Sequence, residues 1–149
     1  MGLRAAKNCC VTVMIGLLLL VNLAGQNTSP SFLIVAHPET PVDKINRWDL
    51  SAIFLGKKTI WDGEEKVYPC MLREDQMEMR EFIAAIHFKT VGQYRAYWKK
   101  RLFSGGGTVP KTFKRTKSLV DYVADRQGAI GVIPAQRVTA GVKVVELEW

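Results

Sequence analysis

The run Asp49-Leu50-Ser51-Ala52-Ile53-Phe54-Leu55-Gly56-Lys57-Lys58, with Trp61 just beyond it, decides the fold of this chain. Leu50, Ile53 and Phe54 recur at helical spacing and place one apolar stripe on a short helix. Asn46 offers that helix a side-chain cap, and Asp49 can return the bond, a weaker form of the capping box. Gly56 suits the left-handed end of the helix, because it has no Cβ to clash there. A second stretch, Gly128-Ala129-Ile130-Gly131-Val132-Ile133-Pro134, is its companion: a glycine that ends a helix, then a buried strand.

Before the first helix, Phe32-Leu33-Ile34-Val35 forms a continuous apolar run within Ser31 to Ala36, the pattern of a strand covered on both faces. Pro38 and Pro41 stop it and impose an extended loop. After the helix, Asp62-Gly63 signals a turn and Val67 to Leu72 a second strand. Met79, Phe82, Ile83 and Ile86 then mark one amphipathic helix. Val91, Tyr94, Trp98 and Leu102 mark another, with Lys99, Lys100 and Arg101 at its end, where positive charge opposes the helix dipole. Ser104-Gly105-Gly106-Gly107 must break any regular element. Thr116 or Ser118 is the expected cap of a further helix that turns Leu119, Tyr122 and Val123 inward and ends at Gly128. Ala129 to Ile133 and Val142 to Leu147 complete the strands. Alternating strands and helices predict a layered α/β domain with a small mixed sheet of about four strands flanked by helices.

In order and spacing these pieces resemble the substrate-binding proteins of phosphate ABC transporters, over about Phe32 to Val138. In that family an IFLGK-like turn ends a helix ahead of a Trp, as Ile53 to Lys57 and Trp61 do here, and a GAIGY-like strand closes the same lobe. The resemblance implies a single periplasmic-binding-protein-like lobe that binds rather than catalyses. It also implies a phosphate-like oxyanion as ligand and a transporter or envelope protein as partner. The family carries Arg-x-Asp and then Ser-Gly-Thr just before a helix. Arg73 and Asp75 match, but Met77, Glu78 and Met79 stand where Ser, Gly and Thr would be. Two hydroxyl donors are thereby lost, and Glu78 sets a negative charge beside the expected anion. Weak or lost anion binding is the expectation. Full members of the family enclose the ligand between two lobes, and a lone lobe leaves it competing with water.

Ser104-Gly105-Gly106-Gly107-Thr108, with Lys111 and Lys114 nearby, is a second candidate, since glycine-rich backbone can turn N–H groups toward an anion. A flexible connector is the plainer account of the same residues. The expected ligand set is therefore Arg73, Asp75, Ser104, Gly105, Gly106 and Thr108.

The first residues have the order of an export signal. Arg4 and Lys7 give a positive start, Val11 to Val21 is nearly all apolar, and Ala24 and Gly25 are small. Residues 1–25 are read as that signal, 26–30 as a flexible segment and 31–149 as the domain, in a periplasmic or secreted location with no stable membrane anchor after cleavage. Cys9 and Cys10 leave with the signal, so Cys70 is alone in the mature chain and reads as a buried small hydrophobe. The chain carries a net charge of +7, and no acidic residue falls between Glu81 and Asp121. That stretch is a solvated face or a docking surface for acidic protein. His37 and His87 are isolated and no nucleophile sits in a recognisable elbow, so neither a metal, a cofactor nor an enzymatic activity is expected, and no nucleic acid partner.

Overall fold

The computed structural model describes residues 29–137 and 140–149. The expected signal and most of the flexible segment lie outside them. Six strands form one sheet: β1 (Phe32–Ala36), β2 (Lys44–Asn46), β3 (Tyr68–Leu72), β4 (Lys111–Phe113), β5 (Ala129–Pro134) and β6 (Lys143–Glu148). Four helices accompany them: α1 (Arg47–Phe54), α2 (Met77–His87), α3 (Val91–Phe103) and α4 (Thr116–Ala124).

The sheet order is β2-β6-β1-β5-β3-β4. β1 runs antiparallel to both its neighbours, β5 and β6, whereas β2 is parallel to β6 and β3 is parallel to β5 and β4. Five strands thus share one direction and β1 opposes them. The expectation of about four strands falls short by β2 and β4, each three residues long and lying at the two sheet edges. Edge strands that short carry no periodicity to read, and short charged edges discourage pairing with other chains.

Residue alternation assigns the two faces. Gly131 turns toward α4: a Cβ there would lie 2.8 Å from Leu119 and 3.0 Å from the Cys70 sulfur. Met71, next along β3, faces the other way and accepts from the Tyr94 hydroxyl on α3. Phe82 of α2 meets Phe32 and Phe54 edge-on, with ring centroids 5.4 and 5.0 Å apart. Helices α1 to α3 therefore cover one face and α4 the other, and both cores are mainly apolar, with His87 and Thr40 the buried polar residues among those described.

The caps follow the sequence closely at α1. Asn46 accepts from the Asp49 amide and donates to its carboxylate, and Gly56 takes φ +67° just past the end. Thr90 and Gln93 form a full capping box at α3. At α4 the expected cap shifts: Arg115 occupies the capping position without a side-chain bond, and Thr116 is the first helical residue. Leu102 also departs from expectation, lying 56 % exposed, because α3 outruns the core by its last turn.

Candidate functional site

Two crossovers leave the sheet in opposite directions beside Arg73. From β3 the chain enters α2 and α3 on one face and returns as β4; from β4 it enters α4 on the other face and returns as β5. The carboxyl ends of β3 and β4 thus flank a topological switch point, where open α/β sheets form their ligand crevice. The Arg73 amide donates to the Phe113 carbonyl across that junction, and the Gln76 amide closes the turn onto the Arg73 carbonyl. A shallow depression of about 210 Å³ opens here, lined by Arg73, Glu74, Asp75, Arg95 and Thr112.

Its charges are already spoken for. Arg73 Nε lies 3.4 Å from Asp75 Oδ2, and Arg95 Nε donates to Glu74 Oε2 at 2.6 Å. Arg80 reaches back from α2 to donate to the Glu74 and Asp75 carbonyls. Two guanidinium groups thus meet two carboxylates around the depression, so it presents little net positive field to an anion. At the start of α2 Gln76 makes no side-chain cap bond, leaving first-turn N–H groups available to an oxyanion. Met77 is 76 % exposed there, whereas Met79 is fully buried and points into the core. The third position of the lost Ser-Gly-Thr element is therefore a packing residue in this chain.

The glycine loop lies at the other end of β4. Ser104 through Thr108 lead into Lys111 at the start of that strand, whereas Arg73 sits beside its finish. The loop wraps a cation. Arg101 donates to the Gly56 carbonyl at 2.8 Å, and a Cβ on Gly107 would fall 2.5 Å from Arg101 Nε. Ser104 Oγ donates to the Arg101 carbonyl. Gly107 adopts positive φ where it passes the guanidinium, and Gly105 adopts it where the chain turns off the end of α3 onto the Leu102 carbonyl. Of the six expected ligands, Arg73 and Asp75 come together, and Ser104, Gly105, Gly106 and Thr108 form a separate group around Arg101.

Sequence reading missed Arg80, Arg95 and Thr112 at the depression. Arg95 and Glu74 are 21 residues apart, so no local spacing signals their bond. It also missed a serine–histidine contact. Ser51 Oγ lies 3.0 Å from His87 Nδ1, between α1 and α2. His87 is buried, stacked on Tyr94 and met edge-on by Phe82, and burial pushes its pKa down to about 4. That enclosure leaves no room for a substrate carbonyl, so the pair is a core contact. Cys70 is buried as expected, its thiol pKa pushed up by burial. Among the described residues no group of His, Cys, Asp and Glu could hold a metal, and no helix is long and apolar enough to cross a membrane.

No family model matches the sequence, and no curated protein matches it. Solved structures do match in fold. An ABC-type phosphate transport receptor from Vibrio cholerae superposes with a TM-score of 0.63 at 15% identity, covering 78% of this chain and 46% of the receptor. A Clostridium perfringens protein, assigned to phosphate ABC-transporter substrate binding and holding phosphate, gives 0.63 at 16%, with 78% and 44% covered. PstS from Borrelia burgdorferi gives 0.61 at 12%, with 78% and 47% covered. The fold is thus periplasmic-binding-protein-like, a mixed sheet flanked by helices. The chain spans less than half the length of each of these structures.

Proposed function

We propose that this chain is an exported solute-binding-like domain with a weakened oxyanion site at Arg73. One observation carries the reading: the Arg73–Asp75 turn occupies the switch point between β3 and β4 and opens onto the start of α2. A phosphate-like oxyanion there would take the free donors of Arg73 and the first-turn N–H groups of α2. Asp75, Glu74 and Glu78 oppose it, and nothing among the described residues closes over it. The affinity is accordingly in the millimolar range, about 4 kcal/mol of binding. Amide NMR titration of residues 29–149 with inorganic phosphate tests this. Saturable shifts at Arg73 and Met77, abolished by Arg73→Ala, are expected. Micromolar binding would overturn the weakened site, and no shift at high phosphate would overturn the site itself. Export rests on the Arg4-to-Gly25 pattern, and fractionation of the full chain checks it.

A second reading has its own support. Lys89, Lys99, Lys100, Lys114 and Arg115 form no ion pair among the described residues, within a stretch that holds no carboxylate. Such a surface suits an acidic protein of the envelope or a transporter. Arg101 does not belong to it, because its guanidinium is held inside the glycine loop. Salt-sensitive capture lost in Lys99→Glu/Lys100→Glu supports this reading. Unchanged capture removes it.

A further inference from the structure

We propose that the junction of α1 and α2 is a docking site for an acidic peptide segment of a partner protein, anchored by an apolar side chain laid on the exposed rings of Trp48 and Phe88. Both rings are large and out in solvent, 69 % and 63 % exposed, with centroids 6.5 Å apart. Between them lies the Arg47 guanidinium, 4.7 Å from the Trp48 ring and 4.3 Å from the Phe88 ring. Its Nε is buried and has no hydrogen-bond partner. Trp and Arg are among the residue types that concentrate binding energy at protein interfaces, and Phe is enriched in interface cores.

Phe88 adds a second observation. It ends α2 in the left-handed region, at φ +52° and ψ +42°, where glycine or asparagine is the ordinary choice. A bulky residue held there is strained, and such strain persists where the side chain serves something beyond the local fold. Here the strain aims the ring outward instead of letting it pack.

The surface continues past Phe88 into a groove lined by Arg80, Ala84, Phe88, Lys89, Thr90 and Val91, with Gln93 at its end. Arg80 and Lys89 line it and no carboxylate does; the Arg80 guanidinium is held by the Glu74 and Asp75 carbonyls, which leaves Lys89 as the free cation among these described residues. Charge complementarity therefore selects an acidic occupant, and the apolar floor selects one with an apolar anchor. An aliphatic or aromatic side chain seats on the solvent-facing surfaces of Trp48 and Phe88, while carboxylates meet Lys89. The surface shares no lining residue with the Arg73 depression, though Arg80 reaches from one to the other, and it stands whether or not that depression binds phosphate.

The probe is a fluorescein-labelled peptide of alternating glutamate and leucine with a central phenylalanine, followed by anisotropy against residues 29–149. Salt-sensitive binding is expected, weakened about thirtyfold by Phe88→Gly and by Trp48→Ala, the size of an aromatic hot spot. Phe88→Gly relieves the backbone strain, so its melting temperature should not fall, which separates lost binding from lost fold. Lys89→Glu should weaken the acidic peptide alone. Equal binding by Phe88→Gly, or equal binding of a lysine-for-glutamate peptide, overturns the proposal. So does a dimer in sedimentation that Phe88→Gly dissolves, or vesicle binding that needs both rings, since the occupant would then be a second copy or a lipid surface.

Discussion

Ser51 Oγ meets Nδ1 of His87 at 3.0 Å, and this is the imidazole's one polar contact, because Nε2 is buried without a partner. Either tautomer leaves Nε2 unsatisfied, so the ring is held by packing against Tyr94 and Phe82. A proton would place a charge in a site stripped of water and near Lys89. Burial, and then Lys89, lower the His87 pKa from 6.5 to about 4.

The sign of the pH effect follows. Unfolded, His87 takes a proton near its ordinary value of 6.5; folded, it does so only near 4. The unfolded state binds the extra proton between those values, so stability is full above 6.5 and falls as the pH drops toward 4. Urea melts at about pH 7 and pH 4.5 should differ by about 2 to 3 kcal/mol through this group. In His87→Phe that share of the difference should vanish. An unchanged pH dependence in the variant would place the titration elsewhere.

Gly128→Ala should be among the most damaging single changes in the chain. The glycine has φ +79°, and a Cβ would fall 2.2 Å from the Lys66 carbonyl. Its carbonyl accepts from the Trp61 indole and the Tyr68 amide, and its amide donates to buried Thr40. A loss of about 3 kcal/mol or more is expected in chemical denaturation. Trp61→Phe removes only the indole bond and should cost about 1 to 2 kcal/mol.

Phe82→Ala opens a hole where Phe32, Phe54 and His87 converge on one ring. Denaturant melts should show a loss of about 3 to 5 kcal/mol. Phe82→Leu should cost less than half as much.

Cys70 is expected to be silent toward thiol reagents. Its sulfur donates to the Ile130 carbonyl under α4, and burial suppresses the thiolate. Labelling with a chromogenic disulfide should follow unfolding in urea. Rapid labelling of the native chain would mean that α4 lifts from the sheet.

Met77→Ser with Glu78→Gly restores a donor and removes a carboxylate while leaving the buried Met79 in place. Phosphate affinity should rise about tenfold, roughly one like-charge repulsion plus one neutral hydrogen bond. An unchanged titration would show that the start of α2 takes no part in the site.

Local chemistry was legible in the sequence, and pairings distant along the chain were not. Asn46, Asp49 and Gly56 announce both ends of α1, because capping is settled within a turn. The long buried runs of β1, β3 and β5 declare themselves by composition. Lys111-Thr112-Phe113 could not, since three exposed or half-buried residues become a strand only by lying beside Cys70, Met71 and Leu72. At the candidate site, Arg73 and Asp75 were singled out through a motif. The neutralisation of Glu74 between them depends on Arg95 arriving from α3, and the glycine run's role depends on Arg101, whose partner Gly56 is 45 residues away.

The reversed strand has a consequence for how the chain is made. β1 leaves the ribosome ahead of every other strand, yet both its hydrogen-bonded neighbours, β5 and β6, come from the final quarter of the sequence. Its five apolar residues must stay unpaired until β5 has been made, and closure over so long a segment is slow. Pairing of β1 is therefore a late step, and any helper that shields Phe32 to Ala36 in the interval would raise the yield of native protein.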